Sequence, residues 1–370
     1  MPEATAPHQM CYPLQETVGL DVLKPLKLGL LCSVEALGGG RLLLNSGWRK
    51  QRLLILCYHG VSLGDEHLWN PQLYMSAEFF RRRLEILRSR ECAVLPLNQA
   101  LERLRSATLP ERSVAITFDD GASDFFRQAL PELNRFGFPA TLYLTTYYSR
   151  FQRPVFNVML SYLLWKGRGG ELAVPEIAKD RLALDDAGRA FGWKALQSYV
   201  RSRGFSAVQK DALLASLAAR LHIDYEELCR KRILHLLTEE EVARITAAGI
   251  DVQLHTHRHR TPRDRDLFLK EVEDNRAAIE KMLPDAKGSL RHFCYPSGDH
   301  FPEALPWLTR AGIRSAVTCE PGLATRDSPL LLLPRLVDDM GLSEIEFAAW
   351  ISGVASWLPL RPAVESAAAD

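Results

Sequence analysis

The chain has 370 residues, of which 47% are hydrophobic and 25% charged, and its 46 basic and 45 acidic side chains leave a formal net charge of +1. This balance is typical of a globular protein, and the length suits one large domain with an insertion or two domains. No basic excess points to nucleic acid, so we expect no nucleic-acid partner. The seven cysteines form no Cys-x-x-Cys pair, which favours reduced thiols in a cytoplasmic protein over a disulfide framework.

The first fifty residues indicate where in the cell the protein is expected. Residues 1–15 lack the basic start and apolar core of a secretion signal. Residues 19–44 are apolar, but charged residues and three consecutive glycines interrupt them before they reach the roughly 20 residues that span a bilayer. Two alternatives stay open: a helical extension on the flank of the domain, or peripheral contact of residues 19–52 with the inner membrane surface.

The first core strand is predicted over residues 51–57, which are apolar, and it ends in Tyr58-His59. A histidine at a strand end is commonly a satisfied polar cap, so no chemistry follows from His59 alone. A helix with Ser76 as its N-cap and a short strand over 93–97 come next.

The run Ser113–Phe118 is apolar and β-branched, and it ends in Asp119-Asp120-Gly121. A buried strand of an α/β protein delivers polar groups in this way to the carboxyl edge of its sheet. Two adjacent side chains on a regular strand point to opposite faces, but Gly121 permits a turn that brings both carboxylates to one volume. The alternative is that the pair only forms a turn or caps a helix.

Residues 124–136 are predicted as a helix interrupted at Pro131, and residues 140–145 as the next strand. Alternating strands and helices predict a parallel α/β sheet that closes as a barrel. Between residues 148 and 235 the strand pattern is absent and helical periodicity dominates. Trp165 and Trp193 in this block suit either a sugar-stacking wall over the cleft or the core of a helical subdomain.

The barrel pattern resumes with a capping box at Thr238–Glu241 and a predicted strand over 250–254. His255 ends that strand, and His259 follows four residues later. These imidazoles would lie about 13 Å apart on a strand but about 6 Å apart on a helical turn. With a turn, the two histidines and an aspartate form a three-ligand site with an open position, the pattern of catalytic zinc. The alternative is a solvated, histidine-rich strand end.

These residues resemble the polysaccharide deacetylase (NodB-homology, carbohydrate esterase) family from about Leu53 to about Gly353. Thr117–Gly121 matches the family's first motif and His255–His259 its second. The resemblance implies that Asp119 is the general base and that Asp120, His255 and His259 bind Zn²⁺ or another divalent ion such as Co²⁺ or Ni²⁺.

Two further residues take roles from the same resemblance. Tyr58-His59 matches the poly-N-acetylglucosamine deacetylase branch, which makes His59 the candidate general acid. Residues 291–298 resemble the third motif, in which the backbone N–H of Ser297 would stabilise the oxyanion. Cys294 replaces the arginine that normally holds the catalytic aspartate, so the sequence leaves the orientation of Asp119 open and gives Arg335 of Pro334-Arg335 no role.

We therefore predict a distorted (β/α) barrel of about seven strands, the fold of this family. Its predicted parts are an N-terminal extension (1–50), two barrel segments (51–147 and 238–353), a helical insertion (148–237) and a C-terminal tail (354–370). The expected activity is metal-dependent removal of N-acetyl groups from an amino-sugar glycan. The alternatives are an amidohydrolase acting on a non-sugar C–N bond and an inactive glycan-binding relative.

Overall fold

The computed structural model describes residues 23–150 and 152–358, and a curled parallel sheet forms its centre. The strands are β1 (Leu54–Tyr58), β2 (Gly60–Val61), β3 (Tyr74–Met75), β4 (Ala93–Val94), β5 (Ser113–Phe118), β6 (Thr141–Leu144), β7 (Glu171–Leu172), β8 (Leu182–Ala183), β9 (Asp251–Leu254), β10 (His292–Cys294), β11 (Ser315–Val317) and β12 (Leu336–Val337). Seven of them run in the order β11-β10-β9-β6-β5-β1-β12, and β4 pairs with the start of β5. The chain before β12 bridges to β11 at Val317 and Leu333, which draws the two edges of the sheet together. This arrangement confirms the predicted distorted (β/α) barrel.

Helices surround the sheet. They are α1 (Leu23–Ala36), α2 (Gly39–Leu44), α3 (Gly47–Lys50), α4 (Glu66–Trp69), α5 (Ala77–Ser89), α6 (Leu97–Arg105), α7 (Leu130–Phe136), α8 (Phe156–Lys166), α9 (Asp186–Ser202), α10 (Ala207–Arg220), α11 (Tyr225–Arg230), α12 (Glu239–Ala247), α13 (Arg265–Met282), α14 (Ala304–Arg310) and α15 (Glu344–Ser352). The predicted capping box is present at Thr238, whose side chain accepts from the Glu241 N–H. A π-helix over Phe125–Ala129 runs into α7, which places Pro131 in the first turn of that helix, where proline needs no backbone donor.

The central strands are buried along their whole length, which explains their unbroken apolar runs. All five residues of β1 and all six of β5 are buried. Helices cover the outer face of a parallel sheet while side chains fill the barrel interior, so neither face of such a strand meets water. The same register brings the carboxyl ends of β1 and β5 side by side, since Tyr58 pairs with Phe118.

The N-terminal helices pack on the barrel. Helices α1 and α2 contact α15. The buried Arg49 guanidinium donates to the carbonyl oxygens of Ile351 (2.7 Å), Arg52 (2.6 Å) and Ser113 (3.1 Å), which ties this segment to α15 and β5. Residues 19–22 of the predicted membrane-contact segment lie outside the described residues. Within residues 23–150 and 152–358, no helix is both long and apolar enough to cross a bilayer.

The block that follows β6 has its own hydrophobic core, formed by α8–α11 together with Tyr74. Trp165 and Trp193 are partly buried against that core, and the indole N–H of Trp193 donates to the Asn157 carbonyl at 3.0 Å. The expectation that strands are absent here is wrong, because β7 and β8 form a short antiparallel pair. Its members are only two residues long, too short for a period-two pattern to show in the sequence.

The loop between β1 and β3 fastens this helical block to the barrel. Trp69 packs edge-on against Tyr162, with ring centroids 5.5 Å apart. Asp65 accepts from the Lys166 ammonium at 2.8 Å and from the Tyr162 hydroxyl. Because this loop directly follows His59, the helical block lies beside the carboxyl edge of the sheet.

His235, at the return from the helical block, predicts a pH effect on stability. The ring is buried, and burial lowers its pKa to about 4. In the unfolded chain the pKa is about 6.5, so the unfolded state binds more protons between these values. The neutral ring therefore contributes stability that is complete above pH 6.5 and is lost as the pH falls toward 4.

The wild-type protein should lose free energy of unfolding when the pH falls from 7 to 4.5. We expect this loss to be about 2–3 kcal/mol smaller in His235→Asn. Asparagine keeps a polar group near the ring nitrogen Nδ1, which lies 2.9 Å from the Ile233 carbonyl, but it does not titrate. Urea unfolding of both proteins at the two pH values measures the difference. Equal losses in the two proteins would contradict the assignment.

Candidate active site

Polar residues gather at the carboxyl edge of the barrel. Asp119 and Asp120 follow β5, His59 follows β1, His255 follows β9 and Ser297 lies in the turn after β10. Parallel strands all end at this edge, so the topology alone brings these residues to one end of the barrel. Three of the non-glycine residues here, Asp120, His259 and Ser297, have φ between 55° and 70°. Such strained backbone persists where the surrounding structure fixes it, and it is common at functional sites.

The first cluster joins Asp120, His255 and His259. Asp120 Oδ1 lies 3.2 Å from His255 Nε2 and 3.1 Å from His259 Nε2. The chain leaves β9 in a tight turn, so the two imidazole rings lie edge to face with centroids 4.8 Å apart. His257 points away, and its Nδ1 lies 2.8 Å from the Thr146 hydroxyl. The structure thus brings together the three residues that the sequence suggests as metal ligands.

The tautomer of His255 indicates whether a cation fits between this histidine and Asp120. Its Nδ1 lies 2.9 Å from the Cys294 carbonyl oxygen, which can only accept, so Nδ1 carries the proton. The Nε2 of a neutral ring then presents a lone pair to the Asp120 carboxylate. Two electron-rich atoms face each other at this distance only with a proton or a metal ion between them. A carboxylate and two imidazoles with an open side suit a catalytic divalent ion.

Groups behind the cluster fix its orientation. The backbone N–H of His255 donates to Asn275 Oδ1 at 2.9 Å. The amide nitrogen of Asn275 donates in turn to the Leu144 carbonyl and the Thr146 hydroxyl, both at 2.9 Å. Together with the Nδ1 bond to Cys294, these contacts hold the ring and its tautomer, as supporting groups commonly do around metal ligands.

The second cluster is centred on Asp119, which is 2% exposed. Arg335 binds its carboxylate with two parallel hydrogen bonds, from Nη1 to Oδ1 at 2.8 Å and from Nη2 to Oδ2 at 2.7 Å. Arg335 is itself completely buried, and its Nε donates to the Thr318 carbonyl at 2.8 Å. Bidentate pairs of this kind are strong and directional. Arg335 has no assignable role from the sequence alone, and this contact explains how Asp119 is oriented.

The arginine also sets the charge of Asp119. Burial alone would raise the pKa of this carboxyl group, but the charge and hydrogen bonds of Arg335 outweigh burial and hold the pKa well below its usual range. Asp119 is therefore a carboxylate at neutral pH. A buried carboxyl group that stays ionised next to a candidate metal site is a candidate base.

Two thiols complete the environment of Asp119. Cys57 Sγ lies 3.4 Å and Cys294 Sγ 3.3 Å from Asp119 Oδ2. Burial raises the pKa of both thiols, so they stay protonated and act as weak donors. The six cysteines within the described residues are free thiols. Arg335 Nη2 also lies 3.2 Å from Cys294 Sγ, so the small side chain at position 294 packs against the guanidinium that holds the aspartate.

His59 lies beside Asp119, and Ser297 lies in the turn that follows β10. His59 Nε2 is 3.9 Å from Asp119 Oδ2. Burial lowers the pKa of His59, and the charges of Asp119 and Asp120 oppose that effect. Ser297 is exposed, with φ 56° in a turn that ends at Gly298. Its backbone N–H makes no hydrogen bond within residues 23–150 and 152–358, so it is free to donate to a ligand.

Comparison with known proteins places these features in a family. A sequence model of the polysaccharide deacetylase family matches residues 106–162 and 215–316, which contain both aspartates and the two histidines expected to bind a metal ion. YxkH of Bacillus subtilis, named as a polysaccharide deacetylase, is 22% identical over 319 residues, covering 84% of this chain and 81% of that protein.

Solved structures share the fold. Streptococcus pyogenes deacetylase PplD in complex with acetate matches with a TM-score of 0.53 and 18% identity, over 80% of this chain and 96% of that one. IcaB from Ammonifex degensii matches with a TM-score of 0.51 and 17% identity, over 81% of this chain and 97% of that one.

Proposed function

We propose that this member of the polysaccharide deacetylase family, a carbohydrate N-deacetylase, removes N-acetyl groups from an amino-sugar glycan with the help of a divalent metal ion. The observation that carries the proposal is the junction of the two clusters: an ionised, arginine-held Asp119 directly precedes Asp120, which faces two imidazoles. The substrate is an N-acetylated sugar, oligosaccharide or glycan. Zn²⁺ suits the ligand set, and Co²⁺ or Ni²⁺ are alternatives.

Asp120, His255 and His259 would hold the ion. When bound there, a divalent ion lowers the pKa of a coordinated water and polarises the acetamide carbonyl. Asp119 accepts the proton of the attacking water, and Arg335 keeps it ionised for that task. The Ser297 N–H donates to the oxygen that becomes negatively charged.

His59 completes the reaction. After attack, the C–N bond breaks as the amine nitrogen takes a proton from His59, so the products are acetate and a free amino sugar. The contact of 3.9 Å between His59 Nε2 and Asp119 Oδ2 lets the proton that Asp119 takes from water pass to the imidazole, which then gives it to the amine in the same cycle. The PplD structure is described as a complex with acetate, the acid that this reaction releases.

Two alternatives make different demands on the same site. An amidohydrolase acting on a non-sugar C–N bond would use the same groups, so only the substrate distinguishes it. An inactive glycan-binding relative would need neither an ionised base nor a complete ligand set. The intact pair of Asp119 and Arg335 argues against it.

The test combines metal analysis with acetate release. We expect about one divalent ion per purified chain, and we expect its loss in a His255→Ala, His259→Ala double variant, since these histidines and Asp120 would form a single three-ligand site. Acetate release from N-acetylglucosamine oligomers should fall at least about 10²-fold in that variant, because the ion contributes several kcal/mol.

His257→Gln is the matched control, because His257 lies in the same turn but points to Thr146. It should keep the metal. A double variant with full metal content would disprove the ligand assignment. Acetate release from non-sugar acetamides alone would favour the amidohydrolase.

A further inference from the structure

A cavity opens at the end of the barrel opposite the active site. It has a volume of about 810 Å³ and lies between α6 and the chain segments that enter β10 and β11. Three arginines line it: Arg105 at the end of α6, Arg291 before β10 and Arg314 before β11. Since parallel strands start at one edge and end at the other, these arginines lie far from the carboxyl edge that carries Asp119.

Two of these arginines stand side by side without a compensating acid. His292 pairs with Ser315 in the parallel register, so Arg291 and Arg314 precede neighbouring strands at equivalent positions. The backbone N–H of Arg314 donates to the Arg291 carbonyl at 2.8 Å, which fixes this proximity. Within residues 23–150 and 152–358, neither side chain forms an ion pair with a carboxylate. Like charges on neighbouring strands are unfavourable, so an anion between them would relieve the repulsion.

The remaining lining groups agree with an anion site. Glu102 is the one carboxylate in the lining, against three guanidinium groups, so the cavity is positive. Asn98, Ser106 and Ser289 supply neutral polar groups. His292 Nδ1 lies 2.7 Å from the Ser315 hydroxyl, and burial together with the charges of Arg314 and Arg291 lowers the pKa of this histidine to about 4. The imidazole is therefore neutral at physiological pH.

We propose that this cavity binds a phosphoryl-bearing anion through Arg291 and Arg314. Guanidinium forks match the oxygen spacing of phosphate and can bind it bidentately. The volume exceeds that of phosphate alone and falls in the range of small-molecule sites, so the ligand is phosphate or pyrophosphate carried on a larger group. That group is either a soluble phosphorylated compound or the head of a phospholipid.

The experiment uses the full chain with inorganic pyrophosphate as the probe. At about 100 times its Kd, pyrophosphate should raise the Tm of the wild-type protein by about 3 °C. An Arg291→Gln, Arg314→Gln double variant should bind at least about tenfold more weakly, since each arginine gives charge-assisted hydrogen bonds. Arg310→Gln is the control, because Arg310 is exposed at the end of α14 and does not line the cavity.

The single variant Arg314→Gln keeps the test informative if the double variant fails to fold. Without ligand, at low ionic strength, its Tm should equal or exceed that of the wild type, because one of two like charges has gone. Co-sedimentation with vesicles of phosphatidylcholine, with and without phosphatidic acid, separates the two sources. Binding that requires both phosphatidic acid and Arg314 identifies a lipid head, and binding to pyrophosphate alone identifies a soluble ligand.

Three results would overturn the proposal. The first is no binding of the wild type to either probe up to about 10 mM pyrophosphate, which would reveal even millimolar affinity. The second is equal binding by wild type and double variant, which would place the anion elsewhere, for example at the catalytic metal. The third is a lower Tm of ligand-free Arg314→Gln, which would make the arginine a structural residue.

Discussion

Arg335→Met is expected to lower the free energy of unfolding by about 3–5 kcal/mol, because it leaves a buried carboxylate without its partner. Asp119 and Arg335 are 2% and 0% exposed, so water cannot replace the lost guanidinium. Two of the hydrogen bonds that stabilise the ionised carboxylate disappear together. The pKa of Asp119 should then rise, since burial would no longer be opposed by the arginine.

The same variant should lose turnover at neutral pH by at least about 10²-fold, the usual contribution of a general base. Urea unfolding and acetate release measure the two effects separately. An Asp119→Asn, Arg335→Met double variant should recover part of the lost stability but none of the activity, because it removes the unpaired charge together with the base. An Arg335→Met protein with wild-type stability and turnover would refute the role assigned to the pair.

The barrel could be predicted because its signals are local. The run before Asp119 is apolar at every position, and the structure buries every residue of β5. The capping box at Thr238 and the turn after His255 also depend on residues close in sequence. Adjacent polar residues at two strand ends meet in space because parallel strands end at a common edge.

Arg335 could not be assigned in this way. It lies 216 residues from Asp119, and its position depends on how the last strand of the curled sheet returns beside β1. No local pattern encodes that return. Arg335 can be seen in the sequence as part of Pro334-Arg335. Its role becomes clear only from the structure, in which its guanidinium lies beside Cys294 and binds Asp119. The arginine that binds Asp119 therefore comes from the segment before β12, and not from position 294 at the end of β10.

The block after β6 shows the same limit. Its helical periodicity is local and could be predicted, and the family model also stops at residue 162 and resumes at 215. Its attachment through Asp65, Lys166 and Tyr162 joins residues about one hundred positions apart. Whether Trp165 and Trp193 face sugar or core was likewise open in the sequence. The contacts of Trp193 with α8 decide in favour of the core for that residue.

Asp119→Asn is expected to keep the metal and to lower acetate release by at least about 10²-fold. Asparagine has the size of aspartate but cannot take a proton, so the attacking water would lose its general base. The metal should stay, because Asp120, His255 and His259 face one another without help from Asp119. Metal analysis and acetate release on the same preparation separate these two effects.

Asp120→Asn provides the matched comparison at the neighbouring position. It removes the carboxylate that faces both imidazoles, so metal content and turnover should fall together. If Asp119→Asn also lost the metal, Asp119 would act as a ligand or support one, and the two aspartates would share a role. If it kept both metal and full turnover, Asp119 would serve only to neutralise Arg335. Loss of turnover with full metal content is the one result that assigns proton transfer to Asp119.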